Sequence, residues 1–196
     1  RIMGNYIMVI DEGTTGTRGI IFDRKFNIVA QEYQGITQYT PENDRVEHDA
    51  QEIFEKSVAV CQGAMEKSGL TSADIACIGI TNQRNTCVVW DKETGEPLYH
   101  AIVWQDSRTG AEVEALKQDG QEAVILCETG KVIAPHNNGL ILQWLLKNVP
   151  EVKDAVEAGR ALYGTMDTWL IWKLTEGKTH SVSYSNASSS GCLNLE

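Results

Sequence analysis

Residues 6–18 combine an apolar run, a carboxylate and a turn rich in glycine and threonine, and they constrain the local fold more than any other segment. The apolar residues 6–10 predict a buried strand that ends at Asp11. Gly13 and Gly16 then allow the backbone to turn sharply and to bring its N–H groups close to an anion. The sequence therefore predicts two strands joined by a tight turn that presents backbone donors.

The side chains of this turn add further donors and charges. Thr14 and Thr15 supply hydroxyl groups without adding charge, and Arg18 supplies a cation just after the turn. Asp11, at the strand end, is the kind of carboxylate that holds a hydrated Mg²⁺. These groups suit a bound phosphate, but turns rich in Gly and Thr are also common between strands, so the turn alone supports both interpretations. It is not a Walker loop, because no Gly-Lys-Ser/Thr follows.

The charge and the cysteine pattern narrow the class of protein. A formal net charge of −10 argues against a nucleic-acid partner or an anionic membrane surface, since both favour a basic face. An anionic substrate would need local cations in so acidic a chain, which makes Arg18 and Arg84 candidates. The five cysteines are odd in number and scattered, which is typical of reduced core thiols in a cytoplasmic protein. No Cys/His spacing suits zinc, and no apolar run approaches the ~18 residues of a membrane span.

The first half of the chain predicts a meander, a helix and a further strand. Residues 5–11, 18–24 and 27–37 are rich in β-forming residues and are separated by short polar links. Apolar residues at helical spacing between Asp49 and Gly69 predict one amphipathic helix. The apolar run 75–81 predicts a central strand that is buried on both faces.

The order of these elements matches the start of the ribonuclease H-like fold of actin and hexokinase. We therefore expect an α/β domain of this type, with a mixed five-stranded sheet flanked by helices. In that fold the first hairpin turn holds ATP phosphates, which favours the phosphate interpretation of the turn at 13–16. Residues 87–90 and 101–104 predict further short strands, and the pattern is mostly helical from 106 onward. The serine-rich segment Ser181–Ser190 predicts a loop or an edge strand.

Two polar segments follow predicted strands. Residues 81–86 include Arg84 and present amide, guanidinium and hydroxyl groups that could bind a polyhydroxylated ligand. The alternative is a polar turn whose groups bond to one another, with Arg84 paired to an acid. Trp104, followed by polar residues 105–109, could form an aromatic wall for the C–H face of a sugar. The alternative is a core tryptophan followed by a helix N-cap at Asp106.

Taken together, four ordered motifs resemble those of the FGGY carbohydrate kinases, and within that family most of all those of the glycerol kinases. The resemblance runs from about residue 5 to residue 192. The motifs are DEGTT (11–15), GITNQR (79–84), AIVWQDSRT (101–109) and GTMDTWLIWKLT (164–175) with NAS (186–188).

The resemblance implies transfer of the γ-phosphoryl group of MgATP to a hydroxyl of glycerol or a related polyol or sugar. It implies that Thr14, Thr15 and Gly16 hold nucleotide phosphates and that Arg18 neutralises them. It further implies that Asp11 serves the Mg²⁺ ion. Phosphoryl transfer depends more on positioning and charge neutralisation than on covalent catalysis, and these groups suit it.

The resemblance also implies a substrate pocket built from Arg84, Asn85, Trp104 and His136. Asn85 stands where glycerol kinases carry a carboxylate, and His136 stands where they carry a tyrosine. Because hydrogen-bonding sites discriminate strongly between hydroxyl patterns, these changes favour a different polyol or sugar. Glu12 replaces the usual glutamine, which should weaken nucleotide binding unless its side chain points away or pairs with a cation.

The resemblance predicts that residues 1–196 are an N-terminal, substrate-side domain, incomplete at its C-terminal end and lacking the second, ATP-binding domain. The family's general base, an aspartate in a Gly-Asp-Gln segment, is expected outside this range, so the catalytic residue is unknown and the chain alone is expected to be inactive. A homo-oligomer is compatible with the family. Two other interpretations stay open: a non-catalytic sugar-binding or sensor module derived from a kinase, which Glu12, Asn85 and His136 favour, and a structural protein of the actin-like class.

Overall fold

An antiparallel meander opens the chain, as predicted, and it positions the turn rich in glycine and threonine. The computed structural model describes residues 4–193. Its strands are β1 (Tyr6–Glu12), β2 (Gly16–Phe22), β3 (Ile28–Gly35), β4 (Glu47–His48), β5 (Ile75–Asn82), β6 (Cys87–Asp91), β7 (Ala101–Ile102) and β8 (Ala161–Thr165). Its helices are α1 (Ala50–Ser68), α2 (Gly110–Gln118), α3 (Glu122–Thr129), α4 (Asn138–Asn148), α5 (Pro150–Glu157), α6 (Met166–Leu174) and α7 (Tyr184–Ser190), with a 3₁₀ turn at Ser72–Asp74.

The described residues divide into two units, each with its own sheet and core. The first unit comprises residues 4–37 and 51–83, and the second comprises residues 38–50 and 84–193. The first sheet has the strand order β3-β2-β1-β5, and the second has the order β4-β7-β6-β8. The prediction of one five-stranded sheet was wrong in this detail, because β6 hydrogen-bonds to β7 and β8 in the second sheet instead of extending the first.

In the first unit, helix α1 covers the meander and supplies its core. Met8 of β1, Ile21 of β2 and Ala64 of α1 are buried together. This helix was predicted from apolar residues at helical spacing, and its buried positions Ile53, Val60 and Ala64 lie on one face. The apolar face of α1 thus packs against the meander that precedes it in the chain.

Strand β5 lies beside β1, parallel to it, so the carboxyl ends of both strands meet at one edge of the first sheet. Asp11 is paired with Thr81 and Glu12 with Asn82. The prediction that β5 is central and buried on both faces was wrong. Within the described residues β5 pairs only with β1 and is therefore an edge strand, and Ile78 is 53% exposed.

The second unit packs α4 and α5 against its sheet around seven buried side chains. They are Cys87, Val89, Ile102, Ile141, Leu145, Val149 and Val152. A second cluster of large rings includes Trp90 and Trp169, whose ring centroids are 5.3 Å apart in an edge-to-face arrangement. These contacts fix β6, which Arg84 and Asn85 precede, and β7, which Trp104 follows.

Most of the serine-rich segment forms α7, so its prediction as a loop or edge strand was wrong for Tyr184–Ser190. The side chain of Ser183 caps α7 by accepting a hydrogen bond from the backbone N–H of Asn186. Gly191 ends the helix in a left-handed conformation with φ 73°. The hydroxyls of Ser188 and Ser189 donate to carbonyl oxygens three residues earlier, so their polarity is satisfied within the helix.

The five cysteines are all free thiols, but only Cys87 lies in the core. Cys77, Cys127 and Cys192 are exposed, and Cys61 is half-buried. The prediction of core thiols was therefore wrong for three of the five, since short apolar stretches also occur on the exposed strand β5 and helix α3. None of the helices within residues 4–193 is long and apolar enough to cross a membrane.

Substitution of Gly19 by alanine is expected to destabilise the chain by about 1–3 kcal/mol, because β2 lies directly against α1 at this position. A Cβ atom on Gly19 would lie 2.5 Å from the carbonyl oxygen of Val60, so strand and helix would have to separate. Chemical denaturation followed by circular dichroism measures the loss. Gly79→Ala is the matched control, because its Cβ would come no closer than 3.9 Å to a neighbour. Equal stability of the two variants would contradict the prediction.

Candidate functional site

The turn between β1 and β2 is short and closely held. The backbone N–H of Gly13 donates to the carbonyl oxygen of Gly16 across 2.9 Å. The carbonyl oxygen of Thr15 accepts hydrogen bonds from the Ile36 N–H at 3.1 Å and from the Tyr33 hydroxyl at 3.3 Å. A Cβ on Gly16 would collide with the ring and hydroxyl of Tyr33, so glycine is needed here for close approach. The turn is thus held in one conformation by its neighbours.

Two opposite charges flank the turn at the strand ends. Asp11 and Arg18 are register partners, with 4.0 Å between Oδ2 and Nη1, and each side chain is about half exposed. The guanidinium of Arg18 also lies 5.6 Å from the centroid of the Tyr33 ring. Thr15 is exposed and Thr14 is half-buried, whereas Thr17 is buried with its hydroxyl 3.3 Å from that of Ser57 on α1. The turn therefore offers an accessible cation and an accessible carboxylate on the same unit.

Glu12 points into the first unit and is fully buried. Its Oε1 accepts a hydrogen bond of 3.0 Å from the Gln83 side-chain amide, and its backbone carbonyl accepts one of 2.7 Å from the Gln83 N–H. Burial raises the pKa of Glu12 to about 8, the hydrogen bonds from Gln83 lower it only partly, and the charge of Asp11 raises it further. At neutral pH the side chain is thus mostly the uncharged acid, which has the shape and hydrogen-bonding character of the glutamine expected there.

In the second unit, α7, the residues before β6 and the residues at the end of α3 line an open polar cavity of about 550 Å³, which we call the basin. Six of its lining residues carry polar side chains that bear on ligand binding: Arg84, Asn85, Lys131, Ser185, Ser188 and Ser189. Arg84 Nη1 lies 3.5 Å from the Ser185 hydroxyl oxygen. No Asp or Glu of the described chain lines the basin. The basin therefore combines two cations with hydroxyl groups.

A buried amide joins Asn85 to the loop that carries His136. The Asn138 side-chain N–H₂ donates to the carbonyl oxygens of Asn85, at 2.8 Å, and His136, at 3.4 Å. Its Oδ1 accepts a 2.7 Å hydrogen bond from the Tyr163 hydroxyl. Asn85 itself has φ 63°, in the left-handed region that asparagine tolerates better than most residues. The structure thus brings together three predicted substrate residues, Arg84, Asn85 and His136.

The environment of His136 keeps its ring neutral. Its side chain is half-buried, and burial lowers the pKa of His136, with the nearby charge of Lys131 lowering it further. A neutral imidazole offers one donor and one acceptor to a hydroxyl group. Lys131 therefore affects both the charge of the basin and the state of this ring.

Trp104 follows β7 and is 43% exposed, so it is not the core tryptophan of the alternative interpretation. Asp106 is also not the N-cap of α2, since that position is occupied by Thr109. Instead Asp106 accepts hydrogen bonds from the Val46 N–H at 2.7 Å and from the Arg108 N–H at 3.0 Å. Trp104 therefore stands at the start of a polar loop that is anchored two residues later.

The anchor is a buried ion cluster. Arg108, whose side chain is 1% exposed, donates to both oxygens of Asp106, at 2.8 and 2.7 Å, and to Glu47 Oε1 at 2.6 Å. Its guanidinium lies 4.4 Å from the centroid of the Trp144 ring. Although burial alone would lower the pKa of Arg108, its hydrogen bonds to Asp106 and Glu47 raise it above the ordinary value. We call Glu47, Asp106 and Arg108 the ion cluster.

Neither of the other motif acids is placed as a free base. Asp106 is committed to the ion cluster. Asp167 is buried, accepts a 2.5 Å hydrogen bond from the Thr165 hydroxyl, and accepts another of 3.0 Å from the Ser183 N–H. No group of three or more His, Cys, Asp or Glu side chains within residues 4–193 is arranged to hold a metal ion. In the described part of the chain, Asp11 is thus the accessible carboxylate beside the turn.

Sequence reasoning missed Lys131, the serines of α7 and Glu47. The serines could have been found, because Ser183 and Gly191 are typical residues before and after a helix. Lys131 follows a helix-ending glycine and carries no local signal of a role in a site.

The sequence matches the model of the FGGY family of carbohydrate kinases, N-terminal domain, over residues 6–196. The chain belongs to this family of FGGY carbohydrate kinases. The resemblance inferred from the four ordered motifs is therefore confirmed.

Relatives of this FGGY chain are glycerol kinases of much greater length. It is 47% identical over 190 residues to a glycerol kinase of Lactobacillus acidophilus, covering 97% of this chain and 38% of that protein. Among solved structures it is similar to Plasmodium falciparum glycerol kinase with ADP, with a TM-score of 0.92 at 34% identity, covering 98% of this chain and 38% of that one.

The structure of a xylulose kinase from Lactobacillus acidophilus matches this chain with a TM-score of 0.85 at 25% identity. The match covers 97% of this chain and 37% of the xylulose kinase chain. These likenesses confirm the ribonuclease H-like fold class predicted from the order of elements. The chain spans less than two fifths of the length of these relatives.

Proposed function

We propose that this chain is the substrate-side part of an ATP-dependent kinase that phosphorylates a hydroxyl of glycerol or a related polyol or sugar. The observation that carries the proposal is the 47% identity to a glycerol kinase over nearly the whole chain. The basin of the second unit supplies polar groups suited to a hydroxylated substrate. We further propose a cytoplasmic location for the protein.

On this proposal the turn binds the nucleotide phosphates. Thr14, Thr15 and Gly16 would contribute backbone and hydroxyl donors, and Arg18 would offset the phosphate charge. One accessible carboxylate, Asp11, suits Mg²⁺, because this ion is usually bound by one or two carboxylates together with phosphates and water. When bound, the ion neutralises charge on the transferred group.

The substrate would lie against the second unit. Arg84 would donate to a hydroxyl oxygen, and Asn85 and the neutral ring of His136 would read neighbouring hydroxyls. Trp104 would offer its exposed face to the C–H groups of the substrate. The general base would come from a segment outside this chain.

A second candidate is a binding or sensor module without catalysis. Asn85 favours it, because an amide replaces the carboxylate that the family resemblance leads us to expect at this position. Glu12 does not favour it, since the neutral acid preserves the glutamine-like contact with Gln83.

The test is ATP-dependent phosphorylation of a polyol and sugar panel by the product of the complete gene, measured by ADP release. We expect turnover of at least one compound, and no turnover by the 196-residue chain alone. Arg84→Met in the complete protein should lower kcat/KM by roughly 10- to 100-fold, because a charge-assisted hydrogen bond is lost. Lys153→Gln, an exposed lysine of α5, is the control. Ligand binding with no turnover of any compound would favour the module instead.

A further inference from the structure

The basin carries more positive charge than a neutral polyol needs. Arg84 and Lys131 both line it, in a chain whose net charge is −10. Neither side chain forms an ion pair with any carboxylate of the described residues. Two cations that face the same cavity repel each other, so an anion bound between them would be stabilised by both.

The serines of the basin complement these cations. The hydroxyls of Ser188 and Ser189 donate to backbone carbonyls of Ser185 and Asn186, at 3.1 and 3.0 Å. A hydroxyl whose proton is engaged in this way keeps its oxygen lone pairs as acceptors. The basin thus offers acceptors for ligand hydroxyls on the α7 side, together with cationic donors from Arg84 and Lys131.

Because the basin offers both kinds of group, its ligand should carry both hydroxyls and a negative charge. We infer that the substrate is a polyhydroxy acid, whose carboxylate binds between Arg84 and Lys131 and whose hydroxyls contact the serines of α7. This inference rests on the proposed kinase function and specifies its substrate class. A volume of about 550 Å³ accommodates an acid of three to six carbons, within the usual range of small-molecule sites.

Lys131 is the residue that sets this preference. Arg84 can also donate to a neutral hydroxyl, but an ammonium group contributes to binding mainly through its charge. Lys131 would therefore add affinity for the acid and little for the matching polyol.

Binding of matched pairs to the 196-residue chain tests the inference: glycerate against glycerol, xylonate against xylitol, and gluconate against sorbitol. Calorimetry should show that at least one acid binds at least tenfold more tightly than its matching polyol. This affinity ratio, the acid advantage, should fall as salt is added. Lys131→Gln should reduce the advantage to within about twofold, whereas Lys153→Gln should leave it unchanged. If the ligand-free Lys131→Gln variant unfolds at the same thermal midpoint as the ligand-free parent chain, its fold is intact.

The outcomes separate this inference from the proposed function. Polyol binding that equals or exceeds acid binding overturns the carboxylate assignment and leaves the kinase proposal standing. If neither acids nor polyols bind to the chain or to the complete protein with MgATP, the carboxylate assignment and the kinase proposal are both overturned. If Lys131→Gln weakens the binding of inorganic sulfate or ATP as much as it weakens the binding of the acid, the basin is a general anion or nucleotide site. This result overturns the carboxylate assignment. An acid advantage that survives Lys131→Gln also overturns it.

Discussion

Replacement of Glu12 by glutamine should make the chain more stable at pH 8 and remove most of its loss of stability between about pH 5 and 8. The carboxyl group has an ordinary pKa of 4.5 and a pKa of about 8 in the folded chain, with burial as the main cause. Between these values the folded chain holds a proton that the unfolded chain has released. The free energy of unfolding therefore falls as pH rises through this window, and the loss is complete above the folded pKa.

The size of the effect follows from the width of the window. At about 1.4 kcal/mol per pH unit, the loss is on the order of 4 kcal/mol, which corresponds to roughly 10 °C in the midpoint of a chain of this length. Glutamine at position 12 keeps the oxygen that accepts the hydrogen bond from Gln83 and has no proton to lose in this range. At pH 5 the two chains should therefore have similar stability.

Thermal unfolding followed by circular dichroism from pH 5 to 9, in the presence of a chelator, measures both profiles. Glu66→Gln is the control, since Glu66 is an exposed carboxylate of α1. Its profile should run parallel to that of the parent chain. A Glu12→Gln profile that also runs parallel would mean that Glu12 is not held as the neutral acid.

Replacement of Arg108 by methionine should lower the free energy of unfolding by about 3–5 kcal/mol, because it leaves two buried carboxylates without their cation. The side chains of Asp106 and Glu47 are 1% and 6% exposed, so water cannot take the place of the guanidinium. The variant also loses the contact of Arg108 with the Trp144 ring. Since Asp106 anchors the loop after β7, the environment of Trp104 should change too.

Urea denaturation gives the change in stability, and tryptophan fluorescence reports the combined change around Trp144 and Trp104. Lys117→Met, which removes one partner of an exposed ion pair with Glu114, should change stability by less than about 0.5 kcal/mol. In the Arg108→Met background, Glu47→Gln should restore part of the loss, because it removes one of the stranded charges. Equal losses for Arg108→Met and Lys117→Met would show that the ion cluster does not stabilise the fold.

The elements that could be predicted from sequence are those fixed by local patterns. Alternating and helical apolar spacing predicted the meander and α1, because the side chains that bury Met8, Ile21 and Ala64 belong to neighbouring elements. The turn at 13–16 was also predicted, since Gly16 and Thr15 define it locally. Its close contact with Tyr33 could not be predicted, because that contact depends on the pairing of β2 with β3.

The errors have physical causes that lie beyond local pattern. Strand β6 is as apolar as a strand of the first sheet, and only its pairing with β8, some seventy residues later, assigns it to the second. In α7, low helix propensity was overcome by the cap at Ser183 and by burial of Asn186 and Ser190. Propensity is a weak guide where caps and tertiary contacts both favour the helix.

In the candidate site, too, residues with a local signal could be predicted and residues that depend on distant neighbours could not. Arg84 and Trp104 were found because they follow strands and stand beside polar segments, whereas Asn85 and His136 were assigned from the family resemblance. Lys131 and Glu47 could not be found in this way. Their importance arises from neighbours that are distant in sequence, namely the serines of α7 for Lys131 and Arg108 for Glu47.

The left-handed backbone at Asn85 limits how this position can be redesigned. Its φ of 63° is tolerated by asparagine, aspartate and glycine, whereas a longer side chain adds strain of order 1 kcal/mol or more. The cheapest way to place a carboxylate here is thus aspartate, which differs from asparagine by a single atom and reaches one methylene less far than glutamate. At position 85 the charge can therefore be changed without changing the reach of the side chain, whereas a longer reach carries the added strain of the left-handed backbone.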